Sequence, residues 1–314
     1  GNTFFALFFS YFLIYNLPNK FYFVSRLFLI FLVAELAAYY NDFVTVYPKD
    51  GLRVIAIKGF AGNKNITAAS IAFKLPFVLY LLHSIRRPLY RFVLALVLFG
   101  GVLAISLIEA RAAILSTLVV FVLFLLFQFY LLAIKHYNTK QGVLNLVLTI
   151  IPYFLAMLFN IGITNSANKG TITDTVGRIA FTEESSNGRF QYWGDALDYV
   201  LKNPIFASGL GNWKIASISE GKEHISGYTV PYHAHNDFIH VFTETGIPGG
   251  IAYLSIFACL TVYLLLLLYR KYKGQGILEL QYFFLLLPLI VYGLDAGLNF
   301  PVARPLMQSS LAIF

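Results

Sequence analysis

Residues 89–134 read LYRFVLALVLFGGVLAISLI-EAR-AAILSTLVVFVLFLLFQFYLLAI, two apolar runs (89–108 and 112–134) joined through Glu109-Ala110-Arg111. Crossing a hydrocarbon core of about 30 Å takes roughly 20 helical residues, and each run is long enough. Both are apolar all round, with no polar stripe to turn toward water, so they read as membrane spans rather than surface helices. The rest of the chain agrees. Of its 314 residues 58% are hydrophobic and 12% charged, with mean hydropathy +0.71. An ordinary soluble chain carries about 25% charged residues. A soluble protein of this size could not cover its surface with so little charge, and 31 Phe and 21 Tyr are too many for a disordered one. The composition dictates an all-α polytopic membrane protein.

Working outward, further apolar runs lie at 3–17, 21–39, 66–83, 142–163, 247–269 and 277–294, and one more starts near 302. That makes about nine transmembrane segments, the first and last incomplete. The chain begins without Met and has apolar runs at both ends, so we expect it to be a piece of a longer protein. The expected organisation is an N-terminal bundle (1–163), a long external loop (164–232), and a C-terminal part with a polar helix and further spans (233–314).

Charge sets the orientation. Lys20, then Arg86, Arg87 and Arg91, then Lys135 and Lys140, then Arg270, Lys271 and Lys273 fall in or beside alternate connections. Almost every Asp and Glu falls on the other side. Basic loops mark the cytoplasmic face, so the long connections face outward. The net charge of +8 therefore reports topology, and no nucleic-acid partner is expected. One cysteine, Cys259, excludes an intramolecular disulfide framework and any Cys-based metal site.

The long loop is the least connector-like part. Phe190, Trp193, Leu197 and Val200/Leu201 recur at helical spacing, which predicts an amphipathic helix over 189–202 on or near the membrane. Asn203-Pro204 ends it, and a turn follows at Gly209-Leu210-Gly211-Asn212. Residues 232–245 are too polar to span lipid and read as a short helix at the outer face. Gly246 suits the position after its end and Pro248 the first turn of the next helix, so the chain should turn sharply there.

Three outward side chains could carry chemistry: Arg111 between two apolar helices, Arg189 at the start of the amphipathic helix, and His235 at the start of the polar one. Two cations and an imidazole suit an anionic lipid-linked group together with a proton transfer. Taken singly, Arg111 also fits an interfacial anchor, and Arg189 a solvated loop residue. Arg304 is a further outward cation. His233, His235 and His240 are spaced by two and five, which does not put donors on one helix face, so no metal site is expected.

The order of local patterns sets these residues apart. His235-Asn236, nine residues, then Gly246-Ile247-Pro248-Gly249 resembles the His-Asn/Ser/Gln…Gly-x-x-Gly signature of the O-antigen ligase and polymerase superfamily. Gly62-Asn63-Lys64-Asn65, Ala110-Arg111-Ala112-Ala113, Asn187-Gly188-Arg189 with Trp193 and Asn203-Pro204, and Asn299-Phe300-Pro301 with Arg304-Pro305 are similar to its other elements, in the same order. The resemblance implies a glycosyltransferase of the GT-C type in the bacterial cytoplasmic membrane, with its active site on the periplasmic side. Its donor would be an undecaprenyl-diphosphate-linked glycan and its acceptor lipid A–core, a growing glycan or a protein Ser/Thr. By the same analogy Arg111 and Arg189 would hold the diphosphate, with Arg304 a second-tier candidate for donor binding, His235 would act on the acceptor hydroxyl, and Asn236, Gly246 and Gly249 would support it. No cofactor is implied. An imidazole with its ordinary pKa of about 6.5 would lose its basic nitrogen in mild acid.

Overall fold

The computed structural model describes residues 19–50, 59–134, 139–166, 189–220, 233–275 and 280–313. The expected span at 3–17 and the Asn187-Gly188 pair lie outside them. Within them the chain is helical: α1 (Lys20–Asp50), α2 (Lys64–Ser84), α3 (Pro88–Ile108), α4 (Arg111–Ala133), α5 (Thr139–Ser166), α6 (Arg189–Lys202), α7 (Trp213–Glu220), α8 (Asp237–Gln275), α9 (Leu280–Leu298), a 3₁₀ turn (Pro301–Ala303) and α10 (Pro305–Ile313). Seven of these helices are long and apolar enough to cross a membrane, namely α1 to α5, α8 and α9. They coincide with the apolar runs read from the sequence, and the chain is a multi-pass membrane protein.

α2 is the axis of the bundle. Its first turns carry Ala68, Ala69, Ser70 and Ala72, small residues that let neighbouring backbones approach closely. It is buried on nearly every side, and α1, α3, α4 and α9 pack around it. One apolar core runs from Phe28 and Leu32 of α1 through Phe73 and Phe77 of α2 to Phe124 of α4 and Phe284 and Tyr292 of α9. The outward faces are apolar too: Leu89, Phe92 and Leu96 on α3, Val122, Leu126 and Phe129 on α4, and Ile251, Ile256 and Val262 on α8 are all exposed. Such a surface is at rest only against lipid.

Two boundaries differ from expectation. α1 continues past residue 39 to Asp50, so its last turns project beyond the hydrocarbon. There the Asp42 carboxylate accepts the Gly59 N–H at 3.0 Å, tying the helix to the far end of the following connection. The segment expected from 302 starts as a helix only at Pro305, because Pro301–Ala303 forms a 3₁₀ turn first.

Candidate functional site

Three helices begin at one end of the bundle, each with a cation in its first position. α2 starts at Lys64 behind the N-cap Asn63, whose side chain accepts the Asn65 N–H at 2.9 Å. α4 starts at Arg111, after Glu109 has reversed the chain in the left-handed region (φ 57°) and Ala110 has extended it. α6 starts at Arg189. Lys64, Asn65, Glu109, Ala110, Arg111, Ala112, Arg189 and Asn299 together line one cavity of about 230 Å³.

The electrostatics of that cavity are one-sided. A helix start is already positive, because its first N–H groups have no partner within the helix, and a cation there is disfavoured. Here three such starts and three cations face a single carboxylate, Glu109. Burial, and then the charge of Arg111, hold the Arg189 guanidinium below its ordinary value. Among the described residues Arg189 makes no ion pair. Three cations and three helix starts make the cavity complementary to a multiply charged anion.

His235 is placed by α6 and by the turn after α9. Its backbone is in the left-handed region (φ 54°), after which Asn236 caps α8 by accepting the Ile239 N–H at 3.1 Å. The Trp193 indole donates to the Ala234 carbonyl at 2.9 Å, fixing the segment to α6. The Tyr192 ring lies alongside the imidazole (6.5 Å between centroids), and Phe300 meets it edge-on at 5.3 Å. Phe300 is held in turn by Asp237, whose carboxylate accepts the Val302 N–H at 2.7 Å. Burial, then the charges of Arg189, His233 and Arg304, lower the His235 pKa to about 4. This corrects the ordinary value assumed from sequence: burial and the neighbouring cations favour the uncharged imidazole.

Arg304 is near but does not line the cavity. It is buried, lies over the Phe300 ring at 4.4 Å, and faces Asp295 at 3.6 Å. The two supporting glycines make a joint. Gly246 breaks α8 (φ 72°, ψ −175°) into a polar helix and a span, the sharp turn read from the sequence. A Cβ on Gly246 would strike the carbonyl of Ile205, and the Ile247 N–H donates to Pro204 at 2.7 Å. The Asn203-Pro204 and Gly246-Ile247-Pro248-Gly249 elements are thus two halves of one contact. A Cβ on Gly249 would strike the Thr245 side chain.

Lys64, Tyr192, Asp237 and the ring of Phe300 were not singled out from sequence. Lys64 carried a signal, since it stands in one of the quoted elements. Asp237 carried none, because its partner is 65 residues away. The fold also brings His233 over His240 (5.2 Å), and His240 faces Glu244 at 3.5 Å. Among the described residues no group of three His, Cys, Asp or Glu side chains is arranged to hold a metal ion.

A family model described as O-antigen ligase matches residues 65–254, more than half of the chain, from the first turn of α2 into the kinked α8. No curated protein matches the chain.

Proposed function

The chain belongs to the O-antigen ligase family, and from that premise we propose that it moves a glycan from undecaprenyl diphosphate to an acceptor hydroxyl at the outer face of the bacterial cytoplasmic membrane. The family implies a glycosyltransferase-like enzyme that processes O-antigen from a lipid-linked glycan. The donor, the acceptor and the residues that act are our own reading.

One observation carries it: three cationic helix starts line one cavity, and the charge of one of them, Arg189, acts together with burial to favour the neutral form of the His235 imidazole. The acceptor oxygen attacks the anomeric carbon, the bond from that carbon to the diphosphate oxygen breaks, and the acceptor proton passes to His235. Negative charge grows on the leaving oxygen, where Arg111 and Arg189 offset it through forked hydrogen bonds. Lys64 adds a point charge, and Arg304 a longer-range field from behind Phe300. General-base help of this kind is worth about 10²–10⁴ in rate. Two arginines can neutralise the diphosphate, so the proposed reaction needs no divalent cation. Single displacement inverts the anomeric centre.

A lipid-linked-glycan transporter is the reading from another class. It would carry ionisable groups along a midplane path. Among the described residues Lys74 is the mid-bundle cation, and it is held by Glu35 at 2.9 Å and by Ser70, all three buried between α1 and α2. That pairing favours chemistry at the surface over passage.

Glycan analysis of a deletion strain tests the proposal and ranks the acceptors. Ligation onto lipid A–core predicts uncapped core with accumulated polymer. Polymerisation predicts core carrying a single repeat, and protein O-oligosaccharyl transfer predicts loss of glycoprotein. An unchanged glycan profile would overturn the proposal.

A further inference from the structure

At the end of α2 opposite the candidate site, a second cavity, of about 550 Å³, opens between α1 and the connection from α2 to α3. It is lined by Tyr22, Arg26, Ser84, Ile85, Arg86, Arg87 and Tyr90. Among the described residues three guanidinium groups and no carboxylate line it, in a protein where almost every acid lies toward the other end. Arg26 is braced by Tyr22, donating to its hydroxyl at 2.8 Å and lying over its ring at 4.3 Å. Arg86 and Arg87 are exposed, and among the described residues neither makes an ion pair. Arg87 is also the N-cap residue of α3 and provides no side-chain cap, so the start of that helix adds its own positive end beside the cavity.

We infer that this cavity binds the phosphate headgroup of an anionic membrane lipid. Forked guanidinium groups match phosphate oxygens, and a basic hollow between membrane helices is the form such sites take. The same chemistry would attract soluble phosphate, but the surroundings favour a lipid. Tyr22 and Tyr90 are of the type that marks the level of the headgroups. Phe23, Leu89, Phe92 and Val93, exposed on α1 and α3, provide apolar surface for acyl chains directly beyond the arginines. The headgroup bridges α1 to the α2–α3 connection and neutralises charges that otherwise repel one another.

Native mass spectrometry of the full chain in neutral detergent tests this, with phosphatidylglycerol and phosphatidylcholine of identical acyl chains as probes. Phosphatidylglycerol should bind in preference, and the triple variant Arg26→Gln/Arg86→Gln/Arg87→Gln should lose roughly 100-fold in affinity for it, on the scale of one arginine-to-lipid contact each. Arg86→Gln alone, in an exposed connection where folding is not at stake, should lose affinity in the same direction to a smaller extent. Arg270→Gln/Lys273→Gln, which removes basic charge elsewhere on the same side, should bind like wild type. A large excess of inorganic phosphate should leave the lipid bound. Equal binding of the two lipids, or an equal loss in the Arg270/Lys273 variant, would overturn the site. Complete displacement by inorganic phosphate would overturn the lipid as its occupant.

Discussion

His235 sits among Arg189 from α6, His233 from its own segment and Arg304 from the turn after α9, and all three oppose its protonation once burial has done so. The sign follows directly: a lowered imidazole pKa keeps the base competent as pH falls, until the proton finally binds. The acid limb of kcat/KM, which reports the unliganded enzyme, should therefore lie near 4 rather than near 6.5. A bound diphosphate would cancel much of the Arg189 charge, so the acid limb of kcat should lie higher. Profiles measured from about pH 3 to 8 check both, and coincident limbs near 6.5 would contradict the described surroundings. Arg189 answers to a separate measurement. Losing a hydrogen bond to a charged group costs about 1.5–3 kcal/mol, so Arg189→Ala should weaken donor binding by roughly 10–100-fold. Arg189→Lys should recover only part of that, because the ammonium lacks the planar fork. Unchanged donor affinity in both variants would return Arg189 to a solvated loop residue.

Among the elements, the kinked α8 decides whether the site assembles. Its Gly246 backbone conformation is essentially reserved for glycine and costs other residues about 1–3 kcal/mol, and the Ile205 carbonyl leaves no room for a Cβ. Gly246→Ala should lower the melting temperature in detergent and reduce transfer, because the Pro204 contact, and α6 with it, must shift. A melting temperature and activity equal to wild type would show that the joint tolerates a straight α8. The position of this break was legible in the sequence, since a glycine followed by Pro248 stands where a polar helix meets an apolar run. Its partner was not. Nothing local to Asn203-Pro204 indicates that it docks 43 residues later, and the amphipathic pattern of α6 gave a similarly incomplete answer. Of the positions the pattern marked, Val200 is buried and the Trp193 indole reaches the Ala234 carbonyl, but Phe190, Leu197 and Leu201 are exposed, while Ala196, which the pattern did not mark, is buried with Trp213 and Ala234. Helical spacing identifies a face without saying whether lipid or protein covers it.

The molecule as a whole was legible wherever one segment is sufficient: the seven described spans follow from length and hydropathy alone. The cavity was not, because Lys64, Arg111, Arg189 and Asn299 are brought together only by packing three helices against the segment that follows α9. Orientation, read from the basic connections, can be measured on the intact chain. Cys259, the sole cysteine, lies within the apolar length of α8, so new cysteines can be labelled above a low background. Asn212→Cys should react with an impermeant maleimide from outside intact cells, and Lys140→Cys only after lysis. The same behaviour at both positions would break the topology and the proposed side of catalysis. The central claim, that paired arginines hold a diphosphate while an uncharged imidazole takes the acceptor proton, is tested most directly by one rate. That rate is glycan transfer from a polyprenyl-diphosphate donor by the purified protein in EDTA, wild type against His235→Ala. The account predicts an active wild type and a variant slower by about 10²–10⁴. A variant as fast as wild type, or a wild type that is inactive until a divalent cation is added, would contradict it.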